Sequence, residues 1–205
     1  MKYVSWNCRG LGSRLKEDAL KDIVRMYLLE ILLIQETKLE ELLLLHASKY
    51  FWRKGNGSAV SARGTSGGIG SFWDSSLYDL IKKDCSPHWL FTKLLHKDSG
   101  QQVSIFNIYA PFLPYEKKSC WDSILSYRSL HNPENIILAG DMNVTLAVNE
   151  KKGGSLVKDL AREWVEDLML GWELEDIKPT SGKFTWSNKR VGPSHIAARL
   201  EIFLV

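Results

Sequence analysis

The sequence contains little cysteine and no long hydrophobic run. Its three cysteines, Cys8, Cys85 and Cys120, are widely spaced, form no CxxC pair and are not near the five histidines in sequence. This spacing argues against a disulfide scaffold and a structural zinc site, and it predicts an intracellular protein with reduced thiols. The longest apolar runs, "ILLI" and "LLLL", are far too short to cross a bilayer, and "MKYVSWNCRG" lacks the apolar core of a signal peptide. We therefore expect no membrane association.

The excess of basic over acidic residues is also small. The chain has 27 basic and 24 acidic residues, a formal net charge of +3. Such a small excess permits a nucleic-acid partner without indicating one. The length of 205 residues, with 44% hydrophobic and 25% charged residues and no repeat or linker, predicts one globular domain over 1–205. We expect it to be a monomer.

Short apolar runs alternate with amphipathic segments along the chain, which favours an α/β (α+β) sandwich. Ser13 and Pro114 precede two of the amphipathic segments, and Gly171 follows the third, as helix boundaries do. Residues 53–68 are rich in Gly and Ser, and we expect a loop there. Helices are predicted over 14–30, 115–130 and about 156–170, and strands over 3–6, 30–37, 69–73, 89–95, 102–110, 136–139, 183–188 and 198–205.

Polar side chains follow four of the predicted strands. "YVSW" ends at Asn7, "ILLIQ" at Glu36, "SIFNIY" at Tyr109, and "IILAG" at Asp141 and Asn143. The sequence Gly-Asp-x-Asn in "NIILAGDMNV" is also typical of a turn, because Asp and Asn side chains form hydrogen bonds with their own backbone. A turn does not account for Glu36, however. Since sites in layered α/β folds gather where strands end, we expect the five side chains to face one hollow.

Carboxylates and carboxamides without a nearby histidine or cysteine form a hard oxygen-ligand set. Mg²⁺ or Mn²⁺ prefers such ligands, and Mg²⁺ takes one or two carboxylates together with waters and phosphate oxygens. Hydrolysis of an anionic phosphodiester requires charge neutralisation, which a metal supplies, and a carboxylate that orients and deprotonates water. Tyr and Asn side chains can donate hydrogen bonds to the developing negative charge.

These residues lie in eight short motifs, and with them the chain resembles the endonuclease/exonuclease/phosphatase superfamily. Within it, the chain is similar to the endonuclease domain of LINE-type (non-LTR) retrotransposon reverse transcriptases of the kind found in plant genomes. Each motif is weak alone, but all eight occur in the family's order. The motifs are "SWNCRGLG" (5–12), "LLIQETKL" (32–39), "SGGIGSFW" (66–73), "FNIYAP" (106–111), "LAGDMNV" (138–144), "EKKGG" (150–154), "GKFTWSN" (182–188) and "ARLEIFLV" (198–205).

The resemblance implies a four-layer αββα sandwich, with two packed mixed β-sheets flanked by helices, and a Mg²⁺-dependent DNA endonuclease. It implies that Glu36 holds the metal with Asn7 beside it, and that Asp141 activates water. It also implies that Asn143 binds the scissile phosphate and that Tyr109 stabilises the transition state. The residues expected at the DNA are Arg9, Lys38, Trp186, Asn188 and Arg199. The alternatives are a core position for Trp186 and solvated surface charges for Lys38 and Arg199. A fusion to a reverse transcriptase and, for a functional protein, a nuclear location are implied as well.

The sequence departs from the family pattern at three points. Arg9 stands where several relatives carry a metal-binding Asp. Glu201 replaces the Asp of "RLD", which orients a catalytic histidine in the family. A final Ser-Asp-His motif, which supplies that histidine, does not occur, and we expect the last strand to be missing and a sheet edge to be open. From these departures we expect impaired catalysis.

Two alternatives to an endonuclease remain at this point. One is a phosphatase of the same superfamily acting on inositol phosphates or sphingolipids, although "GKFTWSN" and "SGGIGSFW" resemble the nuclease branch. The other is a non-catalytic nucleic-acid-binding remnant, whose binding would fall with salt concentration without turnover.

Overall fold

The computed structural model describes residues 2–64, 66–154 and 159–205. Within these residues the chain forms two large β-sheets that pack face to face, with helices on both outer surfaces. The predicted α/β sandwich is therefore confirmed. The helices are α1 (Arg14–Tyr27), α2 (Glu41–Phe51), α3 (Pro114–His131) and α4 (Ala161–Trp172). The strands are β1 (Tyr3–Asn7), β2 (Ile31–Gln35), β3 (Gly55–Arg63), β4 (Ser66–Asp74), β5 (Tyr78–Ser86), β6 (Trp89–His96), β7 (Gln102–Tyr109), β8 (Ile136–Asp141), β9 (Lys151–Lys152), β10 (Trp186–Ser187), β11 (Ala197–Ala198) and β12 (Glu201–Leu204).

The first sheet has the order β1-β2-β4-β3, with β1 and β2 parallel. Helices α1 and α2 cover its outer face. The apolar positions Leu20 and Val24 of α1 are four residues apart, so they share one face of the helix and reach the same core as Leu44 and Phe51 of α2. This packing holds the carboxyl ends of β1 and β2 in place beside each other.

The second sheet has the order β12-β8-β7-β6-β5, with β7 and β8 parallel. Helices α3 and α4 cover its outer face through a second core that includes Phe106, Trp121, Ile124 and Val165. A small third sheet of order β10-β11-β9 flanks this arrangement. Because β7 and β8 run in the same direction, their carboxyl ends lie at one edge of the sheet.

The inner faces of the two large sheets meet in an apolar layer that includes Ile31, Leu33, Trp73 and Ile105. A buried polar contact between Gln35 and Asn107 crosses this layer near the ends of the strands. Gln35 Nε2 donates to Asn107 Oδ1 at 2.6 Å, and Asn107 Nδ2 donates to Gly70 O at 2.8 Å. Since a buried polar group is costly unless it is paired, this contact fixes how the sheets align close to Glu36 and Tyr109.

One prediction of local structure is wrong, two elements were not predicted, and one predicted helix has different bounds. Residues 53–68 are not a loop, because β3 pairs with β4 over most of this segment. Helix α2 and strand β5 were not predicted. The predicted helix over 156–170 is confirmed as α4, but α4 begins at Ala161 and continues through Gly171, and residues 156–158 lie outside the described residues.

Strand β12 is less exposed at its outer edge than expected. Glu175 N donates to Val205 O, Val205 N donates to Glu175 O, and Ile177 N donates to Phe203 O. The segment around Asp176 thus covers the edge that the sequence predicted to be open. In the described part of the chain, no helix has both the length and the apolar character needed to cross a membrane.

A buried ion cluster holds this segment against the rest of the second sheet. Arg199 is 2% exposed. Its guanidinium donates to Glu150 Oε1 at 2.6 Å and forms a second ion pair with Asp176. Lys178 Nζ bridges the same two carboxylates, at 2.6 Å from Glu150 and 2.5 Å from Asp176. The cluster therefore ties together segments that are far apart in sequence.

Candidate active site

Strand register places three of the predicted site residues in one row at the edge of the second sheet. Tyr109 on β7 lies opposite Asp141 on β8, and Asp141 lies opposite Glu201 on β12. In the first sheet, Asn7 on β1 pairs with Gln35 on β2, so Glu36 directly follows at the same edge. Side chains opposite one another on paired strands share a face, and the row is therefore set by backbone pairing.

The edges of the two sheets meet at a direct side-chain contact. Asn7 Nδ2 donates to Asp141 Oδ2 at 2.7 Å, although the residues are 134 positions apart. A cavity of about 530 Å³ opens beside this contact. All five residues that follow the predicted strands line it, namely Asn7, Glu36, Tyr109, Asp141 and Asn143. Arg9 and Trp186 line it too.

Asp141 is 4% exposed and is held on both carboxylate oxygens. Asn7 donates to Oδ2, and the backbone N–H of Asn143 donates to Oδ1 at 3.0 Å. Burial raises the pKa of Asp141 above its ordinary value, with the carboxylate of Glu36 adding to this effect, whereas the two hydrogen bonds and Arg9 oppose it. The bond from Asn143 is also the turn contact anticipated for Gly-Asp-x-Asn, so the turn and the site use the same residues.

Gly140 permits this geometry. Its φ is +138°, and a Cβ at this position would lie 2.0 Å from the carbonyl oxygen of Ile108 on β7. Arg9, Glu36 and Asn143 also have positive φ, at 47°, 52° and 47°. Non-glycine residues rarely adopt such a conformation, and clusters of them mark sites where the surrounding structure holds side chains in specific positions.

Tyr109 presents a protonated hydroxyl to the cavity. Burial raises the pKa of Tyr109 above its ordinary value, and the carboxylates of Glu36 and Asp141 raise it further. The phenol therefore stays neutral across the physiological range and can donate a hydrogen bond. The hydroxyl hydrogen-bonds the Glu36 carboxylate, and a neutral donor of this kind can also serve the oxygen of a bound phosphate.

A profile of the Endonuclease/Exonuclease/phosphatase family matches residues 4–193, which include all five of these residues. The chain belongs to this family. No curated protein sequence matches the chain.

Solved structures of nucleases and a phosphatase share the fold. The AP endonuclease LMAP from Leishmania major superposes with a TM-score of 0.77 at 18% identity, covering 98% of this chain and 78% of that one. The endonuclease domain of TRAS1, a telomere-specific non-LTR retrotransposon, gives 0.72 at 16% identity, covering 98% and 83%. The 3′ phosphatase NExo from Neisseria, bound to a product DNA hairpin, gives 0.75 at 16% identity, covering 100% and 86%. At these identities the similarity establishes the fold alone.

Nucleases of this family generally depend on a divalent metal, and the residues at the cavity fit such an ion. The carboxylate of Asp141 accepts two hydrogen bonds, whereas that of Glu36 is less committed and has Lys38 Nζ 3.4 Å from its Oε1. Asn7 Oδ1 already accepts the backbone N–H of Arg9 at 3.1 Å, and its Nδ2 faces Asp141. Among the described residues, no three His, Cys, Asp or Glu side chains form a closed metal cluster. An ion that takes one or two carboxylates and completes its shell with water and phosphate suits this arrangement.

Glu201 lies in the same row, and among the described residues it forms no ion pair, although the charge of Arg9 acts on it. Burial raises the pKa of Glu201, and the charge of Asp141 raises it further, while a hydrogen bond with Thr185 opposes the shift. Within the described part of the chain, Glu201 Oε2 is buried and has no hydrogen-bond partner. A buried carboxylate oxygen without a donor is unusual and points to a missing contact.

The five residues expected at DNA differ in where they lie. Arg9 and Trp186 line the cavity, and Lys38 pairs with Glu36 beside it. Asn188 is not free, because its side chain bonds the backbone of Arg190, Ser194 and Ile196 and so shapes its own loop. Arg199 is buried in the ion cluster, so it offers no donor at the surface.

Several cavity residues were not identified from the sequence. Arg63 lies on β3, in the segment that we predicted to be a loop, and His88 lies in the β5–β6 turn. Phe112 lies just before α3, and Glu116 lies in its first turn. The sequence does place His88 directly before a predicted strand, which could have marked it as a site residue. Its proximity to Tyr109, however, depends on the register of β6 against β7.

Proposed function

We propose that the chain hydrolyses phosphodiester bonds of DNA with Mg²⁺ or Mn²⁺, as an endonuclease of the non-LTR retrotransposon type. The observation that carries the proposal is the convergence of Asn7, Glu36, Tyr109, Asp141 and Asn143 on one cavity at the junction of the two sheets. The family includes metal-dependent nucleases, and the TRAS1 endonuclease domain shares the fold.

Each of these side chains has a distinct role in the proposed reaction. Asp141 orients the attacking water and accepts its proton, and Asn7 holds the carboxylate in position. Tyr109 and Asn143 donate to phosphate oxygens as negative charge develops. Glu36 would hold the divalent ion, which would neutralise negative charge on the phosphate when bound. Arg9 and Trp186 contact the DNA strand from the cavity wall, and Lys38 contacts it beside Glu36.

We further propose that turnover by this chain is slow. The resemblance implies that the residue at position 201 orients a catalytic histidine, whereas Glu201 has a buried, unpartnered oxygen in the described residues. Loss of one member of a catalytic group commonly lowers the rate by about 10³–10⁴-fold. We also propose that the domain acts in the nucleus as a monomeric part of a protein that carries a reverse transcriptase, as the likeness to a retrotransposon domain supports.

Nicking of supercoiled plasmid tests the proposed function. We expect Mg²⁺-dependent formation of nicked circles that EDTA abolishes and that Glu36→Ala removes, because the change deletes the ligand carboxylate. Glu134→Ala is the matched control, since Glu134 is exposed at the opposite end of β8. Release of phosphate from an inositol polyphosphate without plasmid nicking would instead support a phosphatase. Salt-sensitive DNA binding with neither activity would support a non-catalytic binding protein.

Removal of the Tyr109 hydroxyl tests its role as a donor. We expect Tyr109→Phe to lower kcat of nicking by about 10²–10³-fold with little change in KM, because the donor acts on charge that develops in the transition state. Steady-state kinetics on plasmid measure kcat and KM separately. Tyr27→Phe on the exposed end of α1 is the control. A variant with wild-type kcat would contradict the role.

A further inference from the structure

Residues 8–13 connect β1 to α1, and this β1–α1 loop lies directly against the candidate active site. Gly10 N donates to Glu36 O at 2.6 Å, so the loop contacts the residue that we propose as the holder of the divalent ion. Arg9 N donates to Oδ1 of Asn7 at 3.1 Å. The position of the loop therefore affects three residues that line the cavity, namely Asn7, Arg9 and Glu36.

The carbonyl groups of the same loop converge on one side chain. Lys16, in the first turn of α1, donates from Nζ to Cys8 O at 2.7 Å and to Gly10 O at 2.6 Å. It also donates to Arg9 O at 3.0 Å. An ammonium group has three N–H donors, and these three contacts use all of them. Lys16 thus binds three consecutive backbone carbonyls of the β1–α1 loop.

The backbone of the loop adopts a conformation that requires such support. Arg9 and Gly10 have φ of 47° and 89°, both in the left-handed region. A non-glycine residue keeps this conformation only where the surrounding contacts hold it. Three carbonyl oxygens directed at one point also repel one another unless a cation lies among them. The ammonium of Lys16 offsets this repulsion and so stabilises the conformation in which Arg9 lines the cavity.

Lys16 acts from outside the cavity that Tyr109 and Asp141 line. In the described part of the chain, it is not among the residues that line that cavity. It lines a second cavity instead, of about 670 Å³, together with Glu201. Lys16 can therefore reach the reacting groups only through the β1–α1 loop, and the second cavity gives small solutes access to the position of its Nζ.

We propose that Lys16 is a positioning residue that holds the β1–α1 loop, and with it Asn7 and Glu36, in the arrangement that the reaction requires. The inference rests on the proposed nuclease function and adds to it a residue that touches neither the DNA nor the divalent ion. Loss of the ammonium leaves three carbonyls without their shared donor, and the loop then moves relative to Glu36. Because Asn7 also holds Asp141, the proposed base is displaced as well.

Nicking by Lys16→Ala, with and without a small amine, tests the positioning role. We expect kcat/KM to fall about 10–100-fold, since hydrogen bonds from a charged group contribute this much. Propylammonium is the part of the lysine side chain that alanine lacks, and we expect it to raise the rate of the variant but not that of the wild type. Tetramethylammonium carries the same charge without an N–H donor and is expected to have no such effect. Failure of propylammonium to raise the rate above that in tetramethylammonium would overturn the proposal.

Lys49→Ala is the matched control. Lys49 Nζ donates to Gly55 O at 2.8 Å, so it also binds a backbone carbonyl, but at the start of β3 and away from the cavity. We expect this variant to nick plasmid at the wild-type rate and to be insensitive to propylammonium. Equal losses of kcat/KM in the two lysine variants would assign the effect to general stability and would overturn the proposal.

Hydrogen exchange of backbone amides tests the same role without turnover, so that loss of nuclease function and loss of positioning remain distinct. In Lys16→Ala, we expect the amides of Gly10 and Leu11, which donate to backbone carbonyls of residues 36–37, to exchange about 10–100-fold faster than in the wild type. In Lys49→Ala, both amides should keep their wild-type exchange rates. Equal exchange at Gly10 and Leu11 in wild type and Lys16→Ala would overturn the proposal, whether or not the wild type nicks DNA.

Discussion

Replacement of Asp141 by asparagine is expected to lower the rate of Mg²⁺-dependent DNA nicking by at least about 10³-fold while the fold is retained. The carboxylate of Asp141, held by Asn7 and by the backbone N–H of Asn143, is the group that we propose to take a proton from water. Asparagine has nearly the same shape but cannot act as a base. Single-turnover nicking at saturating enzyme measures the chemical step directly.

Asp98→Asn is the matched control for this experiment, because Asp98 is exposed in the turn between β6 and β7. Both variants are expected to remain folded at the assay temperature, since the Asp141→Asn change replaces the acceptor of the Asn7 hydrogen bond with a donor, at a cost of about 1–3 kcal/mol. An Asp141→Asn variant that keeps a tenth or more of the wild-type rate would exclude Asp141 as the general base.

Replacement of Arg199 by methionine is expected to have the largest effect on stability, a loss of about 3–5 kcal/mol in the free energy of unfolding at pH 7. The change leaves the buried carboxylates of Glu150 and Asp176 with Lys178 as their remaining cationic partner. Urea unfolding of the purified chain measures the difference. Arg190→Met, on an exposed loop, is the control and is expected to be nearly neutral.

The difference in the free energy of unfolding between wild type and Arg199→Met, measured as a function of pH, distinguishes the loss of charge pairing from the loss of packing. Burial alone raises the pKa of Glu150 and of Asp176, but hydrogen bonds from Lys178 and Arg199 outweigh burial and hold both pKa values below their ordinary range. Their contribution to stability is therefore present above the unfolded-state pKa, near 4, and is lost as the pH falls through the lower folded-state values. The gap between wild type and Arg199→Met should narrow below about pH 4. A gap that is constant with pH would assign the effect to packing.

The site was more predictable from the sequence than the elements around it. Asn7, Glu36, Tyr109 and Asp141 each follow an apolar run, and parallel strands bring such positions to one edge. Because the segment that forms β3 is rich in Gly and Ser, it was predicted to be a loop and not a strand. At Gly57 a Cβ would lie 2.2 Å from the ring of Phe72, so the glycine makes room for core packing and does not mark a loop.

Contacts between distant segments account for what the sequence did not predict. Arg199 is buried because Glu150 and Asp176, which are 49 and 23 residues away, converge on it. Nothing in the local sequence distinguishes it from a surface arginine. His88 became a cavity residue only through the register of β6 on β7. Side chains whose role depends on long-range register or on charge pairing are not resolved by local periodicity.

Binding of Mn²⁺ at the cavity tests the central claim most directly. In a ¹⁵N-labelled sample, substoichiometric Mn²⁺ is expected to broaden the side-chain amide signals of Asn7 and Asn143, which line the cavity with Glu36. The signal of Asn135, at the other end of β8 and about 20 Å away, should stay sharp. Glu36→Ala is expected to abolish the broadening. Equal broadening of all three amides, or broadening that persists without the Glu36 carboxylate, would contradict a divalent-metal site at the junction of the two sheets.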